Sequence, residues 1–144
     1  MARLEIDGFD ELNAALARIG TIPEAVTVKA LDAMAAVAAA KIKASGESMG
    51  VRDPESNVHV LDTIKTTKAK KTAAGGYEDV TFAGTRARSG KRVRNAEIAF
   101  VNEYGTRHQR ARPFIGQAMT PNEAAIAAPG AEILGDWIEK EFQK

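Results

Sequence analysis

Side chains able to do chemistry are sparse in this chain, and their spacing argues against turnover. His59 and His108 are the only histidines and there is no cysteine. No metal-ligand spacing therefore joins either ring to a second histidine or a thiolate, and a Cys–His nucleophile pair is excluded. Ser45-Gly46 and Ser89-Gly90 are not nucleophile elbows, and the glycines of Gly84-Thr85-Arg86-Ala87-Arg88-Ser89-Gly90 form neither a GxGxxG turn nor a Walker loop. The expectation is a protein that is not an enzyme and uses no cofactor or metal.

Charge is the more informative chemistry. The chain has 144 residues and a net charge of only +1. From Lys65 to Arg112, however, twelve basic residues face four acids, so this segment carries +8 and the remainder −7. Five of the cations, Arg86, Arg88, Lys91, Arg92 and Arg94, crowd into the glycine-punctuated run Gly84 to Arg94. Such an arm can neutralise DNA phosphates or meet an acidic surface on a second subunit. No aromatic residue interleaves it, so base stacking and single-strand recognition have little support. A second constellation is Glu103, Tyr104, Gly105 and Thr106, followed by a basic linker and then Pro113 and Phe114. Glycine can take the positive φ of a sharp exit, and Pro113 belongs in the first turn of a new helix. Glu103 is expected to pair with Arg107, Arg110 or Arg112 and fix the corner, with Tyr104 and Phe114 as packing residues.

The elements that position these residues follow from apolar spacing. Phe9, Leu12, Leu16 and Ile19 predict a first helix over 9–19, closed by Gly20. Thr21-Ile22-Pro23-Glu24 reads as a capping box opening a long second helix to about Ala44 or Ser45. Its stripes are Val26, Ala30, Ala33 and Val37, with Leu31, Met34, Ala38 and Ile42 beside them. Residues 46–57 read as a loop. Thr-rich segments over 61–70 and 77–83, separated by Ala74-Gly75-Gly76, predict a hairpin. The basic arm is expected as an extended loop, followed by a third strand or strand-to-helix segment over 95–101. Pro121 and Pro129-Gly130 are expected to break the C-terminal helix, leaving a last piece over 131–142.

The implied fold class is α+β: a single domain over 1–144, with two N-terminal helices and C-terminal helices packed on a small antiparallel sheet that carries a basic extended loop. At 44% hydrophobic and 27% charged residues, the composition is that of a globular chain. No run approaches the roughly 20 apolar residues of a membrane span, and no signal segment is evident, so no membrane role is expected.

The pairing of Glu103-Tyr104-Gly105-Thr106 with Pro113-Phe114-Ile115-Gly116-Gln117-Ala118 resembles the tail-completion or head-tail joining (neck) proteins of long-tailed bacteriophages. The opening Ile6-Asp7-Gly8-Phe9-Asp10-Glu11-Leu12 is also similar to theirs. Where many members carry T-G-x-L ahead of the first strand, this chain reads Asn57-Val58-His59-Val60-Leu61. The resemblance implies a structural virion protein of the neck or head-proximal tail end, present in the host cytoplasm before assembly. It would form a homo-oligomeric ring around the DNA channel, a hexamer by preference and a dodecamer as the alternative. Its partners would be other neck, connector and tail-tube proteins, with non-specific DNA contact through Arg86 to Arg94. The competing reading is a nucleic-acid-binding module of a phage or prophage that uses the same arm.

Overall fold

The computed structural model describes residues 14–18, 20–51, 59–73 and 75–144. Within them the chain is α+β, as its composition and pattern imply. Residues 14–18 are helical (α1), and the rest of the expected 9–19 helix lies outside the described residues. Ala15 is buried here while Leu16, expected on the inward stripe, is 51% exposed. Each residue turns the helix by about 100°, so a one-position shift of the inward face suffices to bring Leu16 out. The end of α1 is held by polar ties instead, the Arg18 guanidinium donating to the Glu141 carbonyl at 3.2 Å.

The long helix α2 spans Glu24–Ser48. It does not open with a capping box: Pro23 occupies the N-cap, where its carbonyl accepts from the amides of Val26 and Thr27, leaving Thr21 two positions too early to cap. Its C-terminus runs through Gly46, past the expected end. A Cβ at Gly46 would overlap the Leu61 side chain, so the glycine allows the chain that follows to close on the helix. The exit is a Schellman motif. Gly50 takes φ +71°, its amide bonds the Glu47 carbonyl, and the amide of the fully buried Val51 reaches back to Gly46. Residues 52–57 of the expected loop lie outside the described residues.

A one-turn 3-10 helix, Val60–Thr63, replaces the start of the expected first strand, because both Val60 and Leu61 turn into the core rather than alternating. The hairpin then forms, with a fault in it. Strands β1 (Ile64–Thr66) and β4 (Val80–Phe82) pair at its base, and β2 (Lys70–Thr72) and β3 (Gly75–Tyr77) pair at its tip. Residues 67–69 oppose only Glu78 and Asp79, so the register slips by one residue between the two ladders.

The arm is not an open loop but a second hairpin, β5 (Thr85–Arg88) and β6 (Lys91–Arg94), with Arg86 opposite Val93 and Arg88 opposite Lys91. Its two-residue turn has positive φ at Ser89 (51°) and Gly90 (74°), the geometry that matches strand twist. The expected sheet is thus three separate two-stranded antiparallel ladders among the described residues. No third strand follows the arm. Asn95–Tyr104 is helix α3, since the apolar run of Ile98 to Val101 continues on to a buried Asn102 at helical spacing.

Helix α4 (Phe114–Met119) passes through a 3-10 turn at Thr120–Asn122, around Pro121, into α5 (Glu123–Phe142). Pro121 breaks the helix as expected, but Pro129 lies inside α5. An interior proline costs about 3 kcal/mol. It is tolerated because α5 packs along α2, with Ile126 buried and Gly130 so close that a Cβ there would overlap the Met34 thioether. The core gathers Ile42, Val51, Val60, Leu61, Phe82, Ile98, Ala99, Phe114 and Ala118, where the C-terminal half of α2, β4, α3 and α4 converge.

Candidate functional site

The corner between α3 and α4 is built by backbone and side-chain polar groups closing on one apolar ring. Gly105 ends α3 at φ +73°, its amide returning to the Val101 carbonyl at 2.8 Å. A Cβ there would sit 2.6 Å from the Ala111 nitrogen and 2.8 Å from the Gln109 oxygen, so both the dihedral and the space require glycine. The Thr106 hydroxyl accepts from the amides of His108 and Gln109 and folds the basic linker into a tight turn. The linker then comes back: the Arg112 amide donates to the Asn102 carbonyl at 2.6 Å, and its guanidinium reaches the Gly50 carbonyl at the end of α2.

Pro113 is not the first helical residue. With φ −74° and ψ 61° it centres an inverse γ-turn, in which the Phe114 amide donates to the Arg112 carbonyl, and its own carbonyl accepts the first bond of α4 from Gln117. Phe114 is 0% exposed and meets Phe82 edge to face at 6.0 Å.

Glu103 has a structural role, but its partners differ from those expected. Its carboxylate accepts from the amides of Ile115 at 2.8 Å and Gly116 at 2.9 Å, the free donors at the start of α4. No ion pair forms with Arg107, Arg110 or Arg112 among the described residues; a short helix with unpaired amides is the nearer and better-aligned partner. Tyr104 is not a packing residue of the core. It is 69% exposed and stacks on Phe100, itself 62% exposed, with centroids 4.7 Å apart. The pair borders a depression of 310 Å³ lined in part by Val80, Phe82 and Ile115.

Two asparagines that the sequence reading passed over hold the whole arrangement. Asn95 and Asn102 lie two turns apart on the buried face of α3. The Asn95 amide group donates to the Ala83 carbonyl at 2.7 Å, and its oxygen accepts from the Arg86 Nε at 2.7 Å. It thereby clamps both the chain before the arm and the arm's first basic residue. Asn102 donates to the Ile98 carbonyl and accepts from the Gln109 side chain, clamping the corner. Part of their signal was present: asparagine is at home at a helix start, where Asn95 opens α3, but disfavours helix interiors, yet Asn102 occurs at apolar-face spacing with Ile98 and Ala99.

The arm's cations divide by role. Arg92 Nε donates to the Thr85 hydroxyl, and Arg94 pairs with Glu97 at 2.9 Å, so these two and Arg86 serve the hairpin and its junction with α3. Arg88 and Lys91 flank the turn, are exposed, and have no side-chain partner among the described residues.

A groove of 310 Å³ runs between α2, the first hairpin, α4 and α5, with Leu31, Met34, Val80, Ile115 and Met119 in its walls. Glu78 and Asp79, the residues opposite the register slip, sit on it. Burial, together with a hydrogen bond to the Asp32 carboxyl, raises the Glu78 carboxyl above its ordinary range, against a smaller opposing pull from a hydrogen bond with Thr66.

His108 is exposed in the linker turn. His59 lies just before the 3-10 helix, half-buried, and its Nδ1 has no partner among the described residues. Among the described residues no group of three or more His, Cys, Asp and Glu side chains could hold a metal ion, and no helix is long and apolar enough to cross a membrane. Set against known proteins, the chain matches no family model, no curated protein and no solved structure.

Proposed function

We propose that the chain is a structural subunit of the bacteriophage neck or head-proximal tail end. It would close into a ring that completes the tail and joins it to the head around the DNA channel. The observation that carries this reading is the corner motif itself. Four residues through which the chain resembles neck proteins have a physical use here: Glu103 caps α4, Gly105 makes a turn other residues cannot, Thr106 folds the linker, and Phe114 fills the centre of the core. Those are the demands of a rigid corner that holds surfaces at fixed angles, and none of them is the demand of a reaction.

In this reading the subunits meet through unlike patches, as the polarised charge permits, and a six-fold ring is preferred over a twelve-fold one. Electron microscopy of the protein in assembled particles tests it. A closed ring at the head–tail junction is the expected image, and a two-fold dimer there would refute the proposal.

A second reading is favoured by one observation, the unpartnered cations Arg88 and Lys91 at the arm's tip. It makes the chain a nucleic-acid-binding module held by phosphates. It requires tight binding to bare duplex DNA that falls steeply as salt is raised.

A further inference from the structure

The arm and the groove are each incomplete, and they are incomplete in complementary ways. Among the described residues, the arm's packing within its own chain is confined to its base, where β6 meets the start of α3 and Val93 rests on the core. A lone two-stranded ribbon is marginal in water. Its tip presents Arg88 and Lys91, on one face of the ribbon, with long apolar stems behind charged heads. The groove offers the inverse: apolar walls from Leu31, Met34, Ile115 and Met119, with Glu78 and Asp79 as its charged groups. Glu78 is left in an awkward state there, half-buried beside Asp32, with its Oε2 unpartnered among the described residues.

We infer that the arm of one copy of this chain docks in the groove of the next. The stems of Arg88 and Lys91 lie along Met34 and Met119, and their heads meet Glu78 and Asp79. The inference rests on the ring reading and gives it a contact. Because arm and groove are different surfaces, each subunit gives one and receives the other, which is the head-to-tail geometry that propagates and closes. DNA would satisfy the arm alone and leave the carboxyls of the groove without a cation, whereas a second copy uses both. Opposite charges at this contact set register and speed encounter as well as adding affinity.

The chain has no cysteine, so introduced thiols report without background. Ser89→Cys marks the exposed turn of the arm and Met119→Cys the groove wall. The double variant is treated with a short thiol-to-thiol cross-linker over a protein concentration series up to its solubility limit. The expected result is a covalent ladder extending beyond dimer, with each single variant stopping at dimer or monomer. On the same background, Arg88→Glu with Lys91→Glu reduces the ladder by about tenfold or more, as does Glu78→Lys with Asp79→Lys, and combining all four reversals in one chain restores it. Circular dichroism melts establish that each variant is folded. If the Glu78 reversal unfolds the chain, Asp79→Lys alone, paired with Arg88→Glu, carries the same test.

Absence of a ladder at every concentration overturns the inference, as does a ladder indifferent to charge reversal. So does a protein that gives no ladder but is retained on a DNA duplex until salt is raised, losing that retention with Arg88→Glu and Lys91→Glu. The two readings fail separately. A ladder from a protein absent from the head–tail junction leaves the contact standing and removes the neck. A protein found at that junction but giving no ladder does the reverse.

Discussion

Gly105 sits where α3 must stop and the linker must double back, and two independent constraints act on it. Its φ of +73° is unfavourable for any β-branched residue, and its Cβ position is occupied by backbone of Gln109 and Ala111, which cannot move aside as a flexible side chain could. Gly105→Val should therefore cost at least about 1–3 kcal/mol from the dihedral alone, with the overlap in addition. Phe114→Ala acts differently, emptying the centre of the core for about 3–5 kcal/mol. Thermal or denaturant melts check both, and a Gly105→Val protein as stable as the parent would discredit the corner as described. Glu103→Ala should cost about 0.5–2 kcal/mol by leaving two amides of a short helix uncapped, and Glu103→Gln less, since it keeps one acceptor. The glycine and the phenylalanine were legible from residue type and order alone. Glu103 was legible only as a structural anion. Choosing its partner required knowing that the first turn of α4 lies nearer than any arginine of the linker, which is a fact of three-dimensional closure. Tyr104 was misread because an aromatic residue beside a core motif looks the same in sequence whether the helix turns it inward or outward.

At the level of elements, the register slip in the first hairpin brings Glu78 against α2, where burial and Asp32 raise its carboxyl. The folded chain then keeps the Glu78 proton to higher pH than the unfolded chain does. Between the ordinary carboxylate range and the raised value the folded state binds more protons, so stability falls as pH rises through that window. Glu78→Gln should accordingly melt higher than the parent at neutral pH, with the gap closing as pH falls below about 4, where the parent carboxyl becomes protonated in both states. A variant less stable than the parent at neutral pH would show that Glu78 is held as a favourable anion instead.

The sequence marked this hairpin through its threonines and paired glycines, but not the slip, because residues 67–69, between the two ladders, carry no glycine or proline to announce it. It also left α3 ambiguous. A short apolar run such as Ile98 to Val101 fits strand or helix equally, and only the two asparagines on its buried face point to a period of 3.6. Pro129 misled in the opposite direction. Proline is the strongest local breaker, yet the packing of α5 on α2 through Ile126 and Gly130 outweighs one lost hydrogen bond.

Among the described residues the molecule is an α+β body from which one basic hairpin extends, and the hairpin's use in assembly can be separated from its use in folding. Arg86 bonds the buried Asn95, Arg92 bonds Thr85 and Arg94 pairs with Glu97, whereas Arg88 and Lys91 support nothing in their own chain among the described residues. Replacing Arg88 and Lys91 by Gln should change stability by less than about 0.5 kcal/mol each. Arg86→Gln should by contrast cost about 1 kcal/mol or more, because it leaves the buried Asn95 oxygen without its charged donor. If the charge polarity between the basic centre and the acidic remainder drives assembly, the tip variant folds normally yet fails to support particle formation or DNA passage in a complementation assay. Arg86→Gln would fail there only in proportion to the folded protein it loses. Full infectivity from the tip variant would show that, on the proposed neck reading, the charges of Arg88 and Lys91 have no part in assembly, and those two side chains would then be no more than a solvated tip.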